Sequence, residues 1–185
     1  MSMMLEMWRL SAEDLAKLRA EPDLTSAYFL GSEESEDGAE EEDGEDDGCA
    51  APPPPRGFGA RTPLYLGKAW HALHFLLTGS AWEGEGPLRF LASGGTELGD
   101  ELVYGPARVW SVDEVRAIAA ALADVSGDEL VARIDPAAMT AAEIYPAIWD
   151  RDQDFAEFIG PAYQELCAFV REAAARGEGM VAATL

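Results

Sequence analysis

The most strongly patterned stretch of this sequence is LGKAWHALHFLLTG, residues 66–79. Its apolar side chains recur at spacings of three and four residues: Leu66, Ala69, Trp70, Leu73, Leu76 and Leu77. This spacing is typical of one face of an amphipathic helix, so the pattern predicts a helix over residues 63–78. Gly79 follows at a position where glycine commonly caps a helix. We expect this helix to form the centre of the core.

Residues 32–61 differ in composition from the rest of the chain. Residues 33–47 include 11 acidic residues and no basic one, and four consecutive prolines follow at 52–55. Like charges repel, prolines favour extended backbone, and little apolar surface is available to offset the entropy of ordering. The total length of 185 residues suits one domain. We therefore predict a single domain over residues 1–185 that carries a disordered, acidic and proline-rich insert at 32–61.

The net charge of −22 restricts the kind of partner that this protein has. Without the 11 charges of residues 33–47, the remainder still carries −11. Nucleic-acid binding depends on lysine and arginine side chains that neutralise phosphates, so we expect no nucleic-acid partner. A basic protein is the expected partner, because complementary charge accelerates encounter.

The sequence also predicts a cytoplasmic location. The N-terminal segment MSMMLEMWRL lacks a basic region followed by an apolar run, and no stretch reaches the roughly 18 uncharged apolar residues of a membrane span. The two cysteines, Cys49 and Cys167, are too few for a disulfide framework or a zinc site. We expect free thiols in a reducing compartment and no membrane partner.

The remaining signals indicate a mainly helical α+β domain. Helices are predicted where a serine precedes acidic residues as in a capping box, after Ser11, Ser111 and Ser126. Strands are predicted at 3–10, 107–110 and 180–185. The glycine-rich segment 93–106 is predicted to be a loop, and a long helix is predicted at 154–175, kinked or split at Gly160 and Pro161. Few strands without regular βαβ alternation favour a small mixed or antiparallel sheet.

Residues 66–79 also resemble a known family. The pattern K-x-W-x-x-L-H-F-x-L-T-G is similar to the YfbM-like family of small bacterial proteins, a family of domains of unknown function. The likeness is carried by Lys68, Trp70, Leu73, His74, Phe75, Leu77, Thr78 and Gly79. YGPARV at 104–109, IYP at 144–146 and the long C-terminal helix followed by a strand agree with it. The resemblance covers most of the chain except 32–61. It implies a compact α+β fold, no settled activity and, for some relatives, an immunity role against secreted toxins.

His71 and His74 are the only histidines and lie three residues apart, on adjacent positions of one helix face. Two metal ligands can use such spacing, but zinc needs further ligands, and the H-E-x-x-H pattern is absent. Candidate ligands are Glu83, Glu85, Asp100, Glu101 and Asp113, and nothing in the sequence selects among them. We therefore predict no metal and no cofactor. His74 is expected to be buried and bonded to a carbonyl or carboxylate, and His71 to be more exposed.

A ligand pocket is the alternative use of these side chains. The candidate ligand-binding residues are Trp70, His71, His74, Tyr104, Arg108 and Tyr145. Aromatic residues more often fill cores, and Trp82, Trp110 and Trp149 are open to the same two interpretations. Lys68 and Arg108 are expected to form salt bridges with the many acids; the alternative is an anion site near the glycine-rich segment 94–105.

The sequence shows no catalytic motif and leaves catalytic residues unassigned. It contains no G-x-S-x-G, no P-loop and no G-x-G-x-x-G after a strand. The leading hypothesis is a non-enzymatic protein-binding module, with an immunity or antitoxin-like role against a basic partner as its most specific form. The alternative is a small-molecule-binding protein or enzyme with a pocket near Trp70, His74, Tyr104 and Arg108.

Overall fold

A computed structural model describes residues 2–30, 58–59 and 62–185 and confirms an α+β fold. The elements of this described part, in chain order, are β1 (Leu5–Leu10), α1 (Ala12–Ala20), α2 (Leu24–Leu30), β2 (Thr62–Gly67), α3 (Ala69–Thr78), a 3₁₀ helix (Pro87–Leu91), β3 (Thr96–Glu101), β4 (Pro106–Trp110), α4 (Val112–Ala123), α5 (Gly127–Val131), α6 (Pro136–Ala141), α7 (Phe155–Arg176) and β5 (Gly179–Thr184).

The five strands form one antiparallel sheet in the order β2-β1-β5-β4-β3. The predicted C-terminal strand is therefore the central one, hydrogen-bonded to β1 and β4. Its first residue, Gly179, lies against α1, where a Cβ atom would approach Leu15 Cδ2 to 2.6 Å and the Trp110 carbonyl oxygen to 2.8 Å. Only glycine fits there without displacement of backbone.

The core lies on both faces of this sheet. Alternate strand residues point to opposite faces, so Leu5 and Met7 of β1 pack into the large cluster with α3, α4 and α7. Trp8 and Leu10 of the same strand pack into a smaller cluster with α1 and α2. Helices on both faces explain why the sequence of β1 alternates so weakly: each of its residues is buried.

The predicted helix at 63–78 is confirmed only in its second half. Residues 62–67 form the edge strand β2, in which Leu64 and Leu66 are buried while Tyr65 is 41% exposed. Leu66 fits the helical spacing with Ala69 and Leu73, but it also fits the two-residue alternation of a strand with Leu64. Pairing with β1 decides for the strand. Helix α3 then ends as predicted: Gly79 adopts a φ of 76°, and its N–H donates to the Phe75 carbonyl at 2.7 Å.

Two further predictions need correction. The predicted loop 93–106 contains β3, a mostly exposed edge strand that pairs with β4. Helix α7 continues through Pro161 and is not split. The helices predicted after Ser11, Ser111 and Ser126 are confirmed, and in the last two both hydrogen bonds of the capping box are formed.

The predicted insert at 32–61 lies outside the described residues, apart from Phe58 and Gly59. The Phe58 ring packs edge-on against Tyr28 at 5.3 Å between ring centroids, and Lys17 Nζ lies 5.2 Å from the Phe58 centroid. The Gly59 N–H donates to Asp14 Oδ2 at 3.2 Å. These two residues therefore contact α1 and α2, which the sequence did not predict. Within the described chain, no helix has the length and apolar character to cross a bilayer.

Candidate ligand-binding site

Three of the predicted site residues line one cavity of about 450 Å³ at the edge of the sheet. They are Trp70 on α3, Tyr104 in the turn between β3 and β4, and Arg108 on β4. The other residues that line this first cavity are Met3, Trp82, Ala92, Glu97, Gly105, Pro106 and Thr184. Segments distant in sequence thus meet at this cavity, because β5 places its C-terminal end beside the turn between β3 and β4.

The walls of the first cavity are largely aromatic. Trp70 is buried, and its indole N–H donates to the Met3 carbonyl at 3.4 Å. Trp82 and Tyr104 are 53% and 38% exposed, which is unusual for large apolar side chains and places them at the mouth. The ring centroids of Trp70 and Trp82 lie 5.9 Å apart. A planar or apolar group entering the cavity would contact ring faces.

Arg108 supplies the positive charge of this cavity. Its Nη1 and Nη2 donate to the carbonyls of Phe90 and Leu91 at 3.3 and 2.9 Å, and its guanidinium carbon lies 5.3 Å from the Trp110 centroid. Burial lowers the pKa of Arg108 to about 10, a change that the nearby Glu97 carboxylate opposes. Arg108 therefore stays protonated at neutral pH.

The salt bridge expected for Arg108 is not formed within the described residues. The ion pairs found there involve Arg9, Arg116 and Arg176. Glu97 lies directly across from Arg108 in the register of β3 and β4, but not within 4.0 Å of the guanidinium. Arg108 also lines a more open cavity of about 520 Å³ beside Gly94 and Gly95, where the sequence suggested an anion site.

A second cavity of about 460 Å³ adjoins the first, and two further candidates, His71 and Tyr145, are among its lining residues. Met3 and Trp82 line both cavities. The remaining residues of this second cavity are Thr140, Glu143, Ile144, Ala147, Trp149 and Asp150. The sequence-predicted residues are thus divided between two neighbouring cavities that share the Trp82 side chain as a wall.

The expected exposure of His71 is wrong, since its side chain is 0% exposed. Its Nε2 lies 2.7 Å from the Ala81 carbonyl oxygen, and its Nδ1 accepts the Tyr145 N–H at 3.0 Å. These partners require the neutral tautomer that carries its proton on Nε2. Burial lowers the pKa of His71, an effect only partly offset by the bond to Ala81.

His74 is also 0% exposed, as the sequence predicted, and it lines neither cavity. Its Nε2–H donates to the Glu83 carbonyl at 2.9 Å, while its Nδ1 has no hydrogen-bond partner among the described residues. Burial is the largest cause that lowers its pKa to about 4, and His71 and Arg108 lower it further. His74 is therefore neutral at physiological pH and separated from any ligand in the cavities.

Together the two histidines hold the loop that carries Trp82. They bind the carbonyls on either side of this residue, those of Ala81 and Glu83. The Trp82 ring lies against the His71 ring, with centroids 4.2 Å apart. The spacing of the two histidines suggested metal ligation. In this structure their hydrogen bonds instead hold in place the loop that forms the wall between the cavities.

The described residues contain no group of three or more His, Cys, Asp or Glu side chains arranged to hold a metal. Cys167 on α7 lies away from both cavities, and burial raises the pKa of its thiol.

The sequence analysis did not select the cavity residues Glu97, Glu143 and Asp150, because no local signal distinguishes them among 35 acidic residues. Trp82, which the sequence left open between a core role and a pocket role, lines both cavities.

Comparison with known proteins identifies a family and a fold. Residues 1–183 match the family described as domain of unknown function (DUF1877). The crystal structure of YfbM from Escherichia coli, a protein of unknown function, is similar, with a TM-score of 0.67 and 17% sequence identity over 99% of this chain and 100% of that chain. At this identity the likeness shows the fold alone. No curated protein matches.

Proposed function

We propose that this chain, which belongs to the DUF1877 family of domains of unknown function, binds a small molecule that carries an anionic group. Family membership confirms the predicted YfbM-like resemblance and brings no activity with it. One observation at the first cavity carries this proposal: the half-buried guanidinium of Arg108 is fixed at the wall by two backbone carbonyls and forms no ion pair within 4.0 Å among the described residues.

An unpaired, partly buried charge is unfavourable unless it gains a partner. The two backbone carbonyls hold the guanidinium in place but do not neutralise it. A carboxylate is a suitable partner, because a guanidinium presents five N–H donors in a planar fork that matches two carboxylate oxygens. The fixed side chain has already lost much of its rotamer entropy, so less is lost when the ligand binds.

The rest of the cavity suits the apolar body of such a ligand. Its volume of about 450 Å³ falls in the usual range of roughly 300–1,000 Å³ for small-molecule sites. Trp70, Trp82 and Tyr104 provide ring faces, and burial of an aromatic or alkyl group against them is favourable. Mostly apolar walls with few charged groups, here Arg108 and Glu97, are typical of a binding site that orients its ligand.

Calorimetric titration with arylalkanoates tests this proposal. The probes are phenylacetate, phenylpropanoate and indoleacetate, each compared with its neutral primary amide. We expect the acids to bind more tightly than the amides, and Arg108→Gln to weaken acid binding by about tenfold or more, as expected for loss of a charged hydrogen bond. The matched control is Arg116→Gln, since Arg116 is exposed and pairs only with Asp113 among the described residues.

Two results would contradict the proposal. One is that no acid of the panel binds to the wild-type chain. The other is that acids and amides bind equally and that Arg108→Gln, shown to be folded by circular dichroism, binds as the wild type does. Equal weakening by Arg108→Gln and Arg116→Gln would indicate attraction by overall charge and would count against a specific site.

The charge of the chain supports a second candidate, a basic protein partner bound in an immunity or antitoxin-like role. The net charge is −22, and residues 33–47 contribute 11 of the acidic groups. We expect immobilised protein to retain a basic protein from host extract, with an affinity that falls as ionic strength rises. The control replaces these 11 residues by their amides, which keeps the length. Recovery of no basic protein at low salt would contradict this candidate.

A further inference from the structure

We infer that the two cavities on either side of Trp82 form one cleft for an elongated ligand with an anionic group at one end and a cationic group at the other. The anionic end rests on the function proposed above for Arg108. The new element is the second cavity, for which the structure indicates an amine or quaternary ammonium group. Three features of the described residues carry this inference.

The first feature is continuity. Met3 and Trp82 line both cavities, so the boundary between the two is formed by these residues, which lie outside every strand and helix of the described chain. Trp82 lies in the connection between α3 and the 3₁₀ helix and is 53% exposed. The His71 ring, on the second cavity, lies 4.2 Å from the Trp82 ring, and the Trp70 ring, on the first, lies 5.9 Å from it. A ligand that crosses Trp82 would contact both cavities.

The second feature is the difference in charge between the two cavities. The second cavity is lined by two exposed carboxylates, Glu143 and Asp150, and by no lysine or arginine. Neither carboxylate forms an ion pair in the part of the chain that the structure describes. The first cavity is lined by the fixed guanidinium of Arg108 and by one carboxylate, Glu97, so its two lining charges balance while those of the second cavity are both negative. An electric field therefore runs along the cleft, and it favours a ligand whose charges have the opposite order.

The third feature is the aromatic lining of the acidic cavity. Acidic residues are abundant in this chain, so two carboxylates alone would not indicate a ligand. Trp82, Tyr145 and Trp149 line the same cavity, and faces of such rings attract cations. Aromatic faces combined with carboxylates are the chemistry that recognises ammonium groups, since the rings accept the alkyl substituents while the carboxylates balance the charge.

These rings are held in place before any ligand arrives. The Tyr145 hydroxyl lies 3.0 Å from Ser2 Oγ, and the Tyr145 N–H donates to His71 Nδ1. The Trp149 indole N–H donates to the Ile144 carbonyl at 2.6 Å. Side chains that are already fixed lose little freedom on binding, which favours affinity. The second cavity thus has the properties of a preformed subsite.

A length series of ω-amino acids tests the inference. The probes are ω-aminohexanoate, ω-aminooctanoate and ω-aminoundecanoate, and each is compared by calorimetry with the alkanoate of equal chain length. We expect one chain length to span the cleft and its ammonium group to improve affinity about fivefold or more over the matched alkanoate. Glu143→Gln combined with Asp150→Asn is expected to abolish that advantage, while Glu165→Gln, an exposed change on α7 outside both cavities, keeps it.

The outcomes separate this inference from the proposed function. If alkanoates bind in an Arg108-dependent way but the ammonium group gives no advantage at any length, the single cleft is overturned and the anion site stands. An advantage that persists in the double variant also overturns the inference, because the ammonium group then binds elsewhere. If no carboxylate of either series binds, the proposed function and this inference both fail.

Discussion

Acidification from about pH 7 to about pH 4 is expected to lower the free energy of unfolding by about 3 kcal/mol through His74 alone. Burial is the largest cause that lowers the pKa of His74 from 6.5 to about 4 in the folded chain. An unfolded chain exposes the ring to water, where its pKa returns to its ordinary value. At a pH between these two pKa values, His74 binds a proton in the unfolded state but not in the folded state.

The direction of the effect follows from the number of bound protons. Stability falls with decreasing pH wherever the unfolded state binds more protons than the folded state. The contribution of His74 is therefore complete above about pH 6.5, is lost progressively as the pH falls, and changes no further below about pH 4. The pKa of His71 is lowered for the same main reason, so His71 adds to the loss in the same direction.

Urea denaturation of the wild type and of His74→Gln at several pH values isolates this contribution. A glutamine amide nitrogen can replace Nε2 as donor to the Glu83 carbonyl, and it does not titrate. At pH 7 we expect the variant to be less stable by about 1–3 kcal/mol, and near pH 4 the two stabilities should meet or cross. Carboxylates whose pKa is lowered, those of Glu129 and Glu172, also weaken the fold in acid, but equally in both proteins. A difference that stays constant over this range would contradict a neutral, buried His74.

The elements that the sequence predicted well are those with local causes. Ser111 and Ser126 cap their helices through bonds to residues three positions later, so the signal and the structure lie in one short window. Gly79 ends α3 for a similar reason, since the left-handed conformation is a property of that residue itself. The YfbM-like pattern in this same segment led to the correct family because several of its residues are core positions of α3.

The elements that the sequence predicted poorly depend on distant partners. Leu66 fits the helical spacing with Ala69 as well as the strand alternation with Leu64. Pairing with β1, more than 50 residues earlier in the chain, selects the strand. Strand β3 has no buried residue to reveal it, because it pairs at the edge with mostly exposed side chains. Long-range pairing overrides local preference in both cases.

The candidate site shows the same difference between features with a local sequence signal and features that depend on distant contacts. Trp70, Tyr104 and Arg108 were selected from the sequence, and the structure places them around one cavity. The role of His71 could not be predicted, because the groups that cover it, Ala81 and Tyr145, reach it from a loop and from a segment 74 residues away. Histidines are commonly assigned to chemistry by type; these two are structural because their surroundings exclude water.

Replacement of His71 by phenylalanine is expected to lower the free energy of unfolding by about 4 kcal/mol, a large fraction of the roughly 5–15 kcal/mol typical of a domain. Phenylalanine fills a similar volume but leaves the Ala81 carbonyl and the Tyr145 N–H without the partners that His71 supplies. Each unpaired buried group costs about 1–3 kcal/mol. His71→Gln retains one donor, so we expect about half of the loss.

Urea denaturation at pH 7 measures this loss, and hydrogen exchange shows where it arises. In the wild type the Tyr145 amide is bonded to His71 Nδ1, so it should exchange slowly; in His71→Phe it should exchange much faster, because local opening then breaks no hydrogen bond. Amides of β5, at the centre of the sheet, serve as the internal control and should change only as far as global stability does. A Tyr145 amide that keeps its protection, or a stability loss below about 1 kcal/mol, would contradict the structural role of His71.

Loss of the bond between Tyr145 N–H and His71 Nδ1 also frees the segment that lines the second cavity. In His71→Phe, ω-aminoalkanoates should therefore bind no more tightly than the matched alkanoates, while Arg108-dependent binding of alkanoates persists.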